Sequence, residues 1–172
     1  MIHCDIKTCV GCRTCEVACS VFHTGAVSPA LARIRVAKLE ETGLDLAIAC
    51  LSCVEKTCLE CPTGALSADG TEPVRLDEGL CGACKVCVDL CPIGAVGFHD
   101  GQPLFCDLCG GAPACVSACP SGALSYREEL RPISLKSYRS STGNPGHKRA
   151  LYARALGESL RQSWKKGARV DS

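Results

Sequence analysis

Aromatic residues are scarce in this chain: phenylalanine, tyrosine and tryptophan together make up 4% of its 172 residues. That leaves little material for an ordinary hydrophobic core, so something besides side-chain burial must hold the fold together. The sequence also has no uninterrupted apolar run of about 18 residues, which argues against a transmembrane helix. Its first residues, MIHCDIKTC, lack the charged start and apolar segment of an export signal. We therefore expect a cytoplasmic protein.

Motifs that indicate catalysis are missing as well. The chain has no P-loop, no glycine pattern for dinucleotide binding, and no nucleophile placed beside a base. Its basic C-terminal residues are not interleaved with aromatic ones, as nucleic-acid-binding surfaces often are. We expect a non-catalytic protein that binds no nucleic acid.

Cysteine is the residue in excess, with 17 in 172 residues. Such a density is typical of disulfide-rich secreted scaffolds or of proteins with many metal ligands. A reducing cytoplasm favours metal ligands. Zinc is the weaker alternative, because two groups of three closely spaced thiols do not divide into the C-x2-C pairs of structural zinc sites.

Sixteen of the cysteines fall into four runs of four. The clearest is CGACKVCVDLCP at residues 81–92, whose spacing C-x2-C-x2-C-x3-C-P is the one bacterial ferredoxins use to hold a [4Fe-4S] cluster. We therefore predict four [4Fe-4S] clusters, with Cys4 left over as a buried side chain of the first strand. The runs are run 1 (Cys9, Cys12, Cys15, Cys19), run 2 (Cys50, Cys53, Cys58, Cys61), run 3 (Cys81, Cys84, Cys87, Cys91) and run 4 (Cys106, Cys109, Cys115, Cys119).

An internal repeat accompanies the last three runs. Residues 61–66, 91–96 and 119–124 are copies of the pattern C-P-x-G-A followed by an aliphatic residue. Proline ends the ligand-bearing turn without needing a hydrogen-bond donor, and glycine supplies the chain reversal. The following apolar residues are expected to begin a strand that packs over a cluster.

The fourth cysteine of a run ligates the neighbouring cluster in two-cluster ferredoxins. Runs 2 and 3 are close in sequence and have the layout of such a module, so we expect them to exchange fourth ligands; runs 1 and 4 flank them as halves of a second module. The predicted ligand sets are set I (Cys9, Cys12, Cys15, Cys119), set II (Cys106, Cys109, Cys115, Cys19), set III (Cys50, Cys53, Cys58, Cys91) and set IV (Cys81, Cys84, Cys87, Cys61).

The last part of the chain differs from the rest. Residues 1–127 contain 9 basic and 14 acidic residues, a net charge of −5, whereas residues 128–172 contain 10 basic and 4 acidic residues, a net charge of +6. After the linker SSTGNPG, Asn144 and Pro145 predict the start of a helix that ends near Gly167. Its apolar stripe recurs every four residues: Tyr152, Leu156, Leu160 and Trp164. We expect this helix to dock on a partner subunit or on a second copy of the chain, and a disordered tail is the alternative.

The four runs, the CRTCEVACSVFH stretch at residues 12–23, the C-P-x-G-A endings and the FCDLC at residues 105–109 resemble a known family. It comprises the four-cluster, ferredoxin-like electron-transfer subunits of molybdenum and tungsten oxidoreductases, formate hydrogenlyases and carbon monoxide dehydrogenases. The small subunits of bacterial tungsten-dependent aldehyde oxidoreductases look most similar. The resemblance covers about residues 1–127 and implies the same exchange of fourth ligands. One departure leaves Cys61 open as an exchanged ligand, since only two residues separate it from Cys58 where the family usually has three.

The predicted fold is therefore α+β, with two ferredoxin-like 2[4Fe-4S] modules, one inserted in the other, and a C-terminal helical arm. We expect ferredoxin-type cluster segments at residues 1–30, 41–70, 71–101 and 102–127, followed by a basic linker and amphipathic helix at residues 128–172. Within the first segments, residues 33–39 and 44–49 predict a β-hairpin.

The leading hypothesis for function is an iron–sulfur electron-transfer subunit. It would connect a catalytic oxidoreductase subunit to a second redox partner, for instance one that contains flavin or NAD. Two alternatives stay open: a free polyferredoxin that carries electrons by diffusion, and a maturation protein that carries clusters for delivery.

Overall fold

The structure is a computed structural model that describes residues 1–70, 72–127 and 133–167, with the side chains of α4 described as far as Glu158 and at Leu160. Short strands alternate with short helices. The strands are β1 (Ile2–Cys4), β2 (Arg35–Leu39), β3 (Leu44–Ile48), β4 (Leu66–Ser67), β5 (Arg75–Leu76), β6 (Gly97–His99), β7 (Gln102–Leu104) and β8 (Leu124–Tyr126). The α-helices are α1 (Thr14–Thr24), α2 (Val86–Leu90), α3 (Ala114–Ser117) and α4 (Pro145–Gly167). This mixture agrees with the predicted α+β class.

The strands form four antiparallel pairs. Three of them, β2–β3, β4–β5 and β6–β7, join neighbours in the sequence, as hairpins do. The fourth pairs β1 with β8 and places Ile2 opposite Tyr126. Next to this pair the N-terminal amine donates a 2.8 Å hydrogen bond to the carbonyl of Arg127. The two ends of the cysteine-rich part are thereby held together, which brings run 1 close to run 4.

The β2–β3 hairpin separates two apolar clusters. Because side chains alternate across a strand, Ala37 and Leu46 pack in one cluster while Val36 and Ala47 pack in the other. Cysteines of runs 2 and 3 lie in or against the first cluster. Cysteines of runs 1 and 4 belong to the second cluster or pack against it. The predicted hairpin is confirmed, and it forms the wall between the two cysteine-rich regions.

Helix α4 packs on the chain's own β2–β3 hairpin. Asn144 caps it as predicted, since its Oδ1 accepts a 2.9 Å hydrogen bond from the N–H of His147. Tyr152 and Ala153 are buried in the first apolar cluster, and Leu156 is half-exposed. The expectation that this stripe needs a groove on another subunit is wrong for Tyr152, because the chain's own core supplies the groove. The side chain of Trp164 lies outside the described residues.

None of the helices in the described ranges has the length and apolar composition that a membrane crossing requires.

Candidate metal centres

All four cysteine runs begin with the same backbone conformation. The residue just before the second cysteine of each run has positive φ: Gly11 at 61°, Ser52 at 43°, Ala83 at 53° and Leu108 at 58°. A residue with a side chain pays about 1–2 kcal/mol for this conformation, and such strain is concentrated at ligand clamps. Turns of this kind direct successive N–H groups into a concavity that binds anions. The runs are therefore alike in conformation even where their sequences differ.

Set III surrounds a cavity. The four thiols of Cys50, Cys53, Cys58 and Cys91 line one pocket with an apolar wall. Apolar side chains complete the wall, among them Ile93, which is 1% exposed. The Cys91 sulfur accepts a 3.2 Å hydrogen bond from the N–H of Ala95. Three cysteines of run 2 and the last cysteine of run 3 thus share one apolar site.

Set IV lines a second pocket. It is lined by Cys81, Cys84 and Cys87 of run 3 together with Cys61 of run 2. The Cys61 sulfur lies 3.4 Å from the hydroxyl oxygen of Thr63. This hydroxyl and the backbone N–H groups that follow hold the pKa of Cys61 below its usual value. Although its spacing departs from the family pattern, Cys61 faces the third run.

Set II is assembled by the packing of α1 against α3. These helices bury Cys19 and Cys115 side by side. Burial raises the pKa of Cys115 to about 12, and the nearby thiols of Cys19 and Cys109 act in the same direction. Burial likewise raises the pKa of Cys106 to about 12, with Cys115 and Cys19 among its neighbours. The last cysteine of run 1 therefore lies with three cysteines of run 4.

Run 1 lacks the C-P-x-G-A ending, because Ser20 follows Cys19 where the other endings have proline. A distant segment takes over its role. The N–H of Arg33 donates a 3.2 Å hydrogen bond to the Cys19 sulfur. Asp107 of run 4 holds this segment and the end of α1 together: its carboxylate accepts a 2.5 Å hydrogen bond from Arg33 Nη1 and lies 3.1 Å from His23 Nε2. The side chains of Asp107, Arg33 and His23 are thus structural links beside set II.

The β1–β8 pair lies between Cys119 and run 1, the two parts of set I. The Cys119 sulfur accepts a hydrogen bond from the backbone of Leu124, which lies opposite Cys4 in the pair. The Cys4 thiol in turn hydrogen-bonds Cys9, which raises the pKa of Cys4 and lowers that of Cys9. Cys15 lies near both Cys4 and Cys9. Cys119 is therefore linked to run 1 through Cys4, a contact that the sequence did not reveal.

The geometry distinguishes between single ions and larger groups. Two thiolates on one zinc lie at most about 4.6 Å apart, twice the Zn–S bond of about 2.3 Å. All 17 cysteines are within the described ranges and none forms a disulfide. Within those ranges only His23, Asp107 and Cys109 bring three ligand atoms within 4.8 Å of one another. In the described ranges the thiols of each set are thus spaced more widely than one zinc ion requires, which favours a group with several metal ions.

The donor chemistry also fits an iron–sulfur cluster. Burial raises the pKa of Cys58 and Cys15 to about 12, and those of Cys50 and Cys87 to about 11. Thiols that are buried and repel one another as anions need a nearby positive charge before they ionise. A bound metal supplies that charge, since coordination deprotonates the thiol. Soft thiolate ligands suit Cu(I), zinc and iron–sulfur clusters, and the spacing of the runs favours the clusters.

Several residues near the sites were not predicted. Thr63 and Ser121 occupy the variable position of their C-P-x-G-A turns, and the Ser121 hydroxyl oxygen lies 3.7 Å from the Cys119 sulfur. A hydroxyl two residues after the cysteine in two of the three copies was the available sequence signal. Lys148 and Arg149 of α4 contact the backbone of the Cys91 turn. No sequence pattern connects them to it, because 57 residues separate Lys148 from Cys91.

Curated relatives match part of the chain. The polyferredoxin-like subunit of an aliphatic sulfonate oxidoreductase from Pyrococcus furiosus is 42% identical over 104 residues, which are 58% of this chain and 60% of that protein. Formate hydrogenlyase subunit 2 from Escherichia coli is 37% identical over 102 residues, 58% of this chain and 48% of that protein. The Escherichia coli electron transport protein HydN is 36% identical over 98 residues, 54% of this chain and 55% of that protein. The chain thus spans about half the length of the curated relatives it matches, or slightly more.

No protein-family model matches the chain. Among solved structures, a chain of the BamBC active site complex of benzoyl coenzyme A reductase, in complex with zinc, is 33% identical. The match covers 76% of this chain and 82% of that one, with a TM-score of 0.44. The four cysteine runs and the curated relatives agree with the resemblance drawn from the sequence: the chain is homologous to ferredoxin-type electron-transfer subunits of oxidoreductases and hydrogenlyases.

Proposed function

We propose that this chain is an iron–sulfur electron-transfer subunit that holds four [4Fe-4S] clusters in a row, one in each of sets I to IV. It connects a catalytic oxidoreductase subunit to a second redox partner. The observation that carries the proposal is that thiols of adjacent sets lie near enough to raise one another's pKa, in a single order. When bound, each cluster accepts and releases one electron at a time.

The order follows from thiols that influence each other's ionisation across the sets. Cys115 of set II raises the pKa of Cys15 in set I. Cys50 of set III raises the pKa of Cys106 in set II. Cys87 of set IV raises the pKa of Cys58 in set III. Such effects require proximity, so the row runs I, II, III, IV without a gap.

The two ends of this row are the exposed ones. Cys12 of set I and Cys84 of set IV are exposed, whereas every cysteine of sets II and III is buried or half-buried. Apolar side chains stand beside both ends, with Val10 63% exposed and Leu80 53% exposed. Apolar surface around an exposed site suits docking of a partner protein. Electrons therefore enter at one end and leave at the other.

The protein's own contribution is placement and cover. The positive-φ turns aim N–H groups at the cluster position, and the C-P-x-G-A turns direct further N–H groups at the fourth thiolate. Side chains such as Ile93 and Phe105 keep water away from set III. The two modules and the four cluster segments predicted from the sequence are part of this proposal.

The catalytic partner is proposed from the relatives, whose names describe subunits of oxidoreductases and hydrogenlyases. A tungsten-dependent aldehyde oxidoreductase remains the specific candidate from the sequence resemblance. A freely diffusing polyferredoxin is the second candidate function. Docking of α4 on the chain's own body favours it, because Tyr152 and Ala153 are already buried in the chain's own core.

Iron and acid-labile sulfide analysis of anaerobically purified protein tests the proposal. We expect about sixteen iron atoms per chain, four for each cube, and purification from the native host together with a stoichiometric redox partner. Eight or fewer iron atoms after full reconstitution would contradict the four-cluster proposal. A fully loaded chain that purifies alone would instead favour the diffusing carrier. Rapid transfer of its clusters to an apo-protein acceptor would favour the maturation protein.

A further inference from the structure

Two cations of α4 bind the turn that carries Cys91. The ammonium of Lys148 donates a 2.5 Å hydrogen bond to the carbonyl of Asp89 and a 3.4 Å hydrogen bond to the carbonyl of Cys91. The guanidinium of Arg149 donates a 2.7 Å hydrogen bond to the carbonyl of Gly94. All three acceptors are backbone oxygens in or next to the C-P-x-G-A turn of set III. The helix therefore holds two positive charges against the peptide groups around one cluster ligand.

The positive charges are poorly compensated by the protein itself. Lys148 is 5% exposed, and no carboxylate in the described ranges forms an ion pair with it or with Arg149. Burial lowers the pKa of Arg149, and the neighbouring Arg35 lowers it further. Glu16 and Cys91 act in the opposite direction. Burying cations is costly unless negative charge lies nearby, and the Cys91 thiolate is one of the two negative groups that favour the charged form.

We propose that Lys148 and Arg149 are positioning residues that raise the reduction potential of the cluster held by set III. The inference rests on the proposed function, since it requires a cluster in set III. Each electron added to a cube makes it more negative, and a nearby cation stabilises the reduced form. In the buried surroundings of Cys91 this attraction is screened much less than at the surface.

The corresponding turn of set IV lacks these cations. Cys61 is followed by the same pattern, yet a side chain added at Gly64 would meet nothing within 4 Å, whereas one at Gly94 would collide with the backbone of Pro145. The Cys61 sulfur interacts instead with the neutral hydroxyl of Thr63. Two turns with one sequence pattern thus differ in what contacts their backbone. Set IV has a cation of another kind, because Lys85 lines its pocket and lies over the ring of Phe98.

Neutral substitution tests the inference on the full-length, cluster-loaded protein. The variants are Lys148→Met and Arg149→Met, with Lys148→Arg as the conservative variant. Arg154→Met is the matched control, because it removes a cation from an exposed position of the same helix that pairs with Glu41. Iron content is measured first, and reduction midpoints follow from a redox titration monitored by electron paramagnetic resonance. Comparison with Cys53→Ser identifies the signal of the set III cluster.

We expect Lys148→Met and Arg149→Met to lower the midpoint of the set III cluster while the signals from the other sets keep theirs. Lys148→Arg should restore it, and Arg154→Met should leave it unchanged. If Lys148→Met loses iron from set III, its midpoint potential cannot be compared with that of the wild type. The test then rests on Arg149→Met, because the Arg149 side chain is only half-buried. Full iron content with an unchanged midpoint in Arg149→Met, or a shift as large in Arg154→Met, would overturn the inference but not the electron-transfer role. Wild-type protein that binds no iron would overturn both.

Discussion

The turns at Cys61 and Cys91 share a sequence pattern and a backbone conformation but little else. Their glycines have nearly the same φ, 70° at Gly64 and 63° at Gly94. The N–H of each glycine bonds back to the carbonyl of its cysteine, at 3.1 Å and 3.3 Å. Around the Cys61 turn, however, Thr63 and Gly64 are exposed, whereas the Cys91 turn is buried beneath α4.

This difference shows that the conformation of a turn and its surroundings have separate causes. The pattern C-P-x-G-A is sufficient to form the turn and to aim N–H groups at a sulfur, because those contacts are local. The surroundings of the turn depend on which element folds over it, and α4 covers only one of the two. Clusters with equivalent ligands can therefore differ in potential and in their contribution to stability.

The largest expected effect comes from removing the cysteines themselves. Cys91→Ala should abolish the cluster of set III, and Cys61→Ala the cluster of set IV, each with loss of about a quarter of the iron. Because metal binding also contributes folding free energy, both variants should unfold more readily. Cys91→Ala should be the less stable, since it also disturbs the first apolar cluster. Iron analysis, cluster spectroscopy and thermal unfolding measure these effects.

This experiment also tests ligand exchange. If Cys91→Ala damages only the cluster of Cys81, Cys84 and Cys87, the fourth ligands are not exchanged between runs 2 and 3. The predicted sets III and IV would then be wrong, whatever the total iron content.

A smaller effect is expected from adding a methyl group to each glycine. Gly64→Ala should lower the free energy of unfolding by about 1–2 kcal/mol, because alanine is strained at this positive φ. Gly94→Ala has the same strain and must also displace the backbone of Pro145, which adds about 1–3 kcal/mol as in other overpacked sites. Anaerobic denaturant unfolding compares the two. Equal losses would mean that α4 does not press on the Cys91 turn.

The smallest effects come from the variable residue of each turn. Thr63→Val removes the hydroxyl beside the Cys61 sulfur and should shift the set IV midpoint to more negative potential, because hydrogen bonds to sulfur stabilise the reduced cluster. Ile93→Val removes one buried methylene and should lower the unfolding free energy by about 0.5–1.5 kcal/mol without a shift in midpoint. Redox titration and denaturant unfolding on both variants give four values. The comparison would be contradicted if Thr63→Val left the set IV midpoint unchanged, or if Ile93→Val shifted a midpoint potential.

Much of the site follows from the sequence because cluster ligation is locally encoded. Spacing within a run determines which three thiols meet, as the cavity of set IV shows for Cys81, Cys84 and Cys87. The β2–β3 hairpin and the start of α4 at Pro145 were also predictable, since alternation and helix capping are properties of short segments. The fourth ligand of each set remains a prediction supported by the cavities and by the thiol contacts.

The contacts of α4 were not predictable. An amphipathic stripe specifies that a helix needs an apolar surface but not which surface, and the charge difference between the two parts of the chain pointed to another subunit. Likewise Arg33 bonds the Cys19 sulfur from 14 residues away, where the sequence shows only an absent proline. Long-range contacts of this kind depend on how elements pack after they have formed.

The sequence by itself therefore determined the number of cysteine runs, the turns that present their thiols and the chemical class of the group they hold, because spacing and turn chemistry act within a few residues. Only the tertiary structure decided the neighbours of each turn: the strand pair that joins β1 to β8, the thiols of different runs that lie near one another, and the cations of Lys148 and Arg149 beside Cys91. These depend on the simultaneous burial of distant apolar faces, which no local pattern encodes.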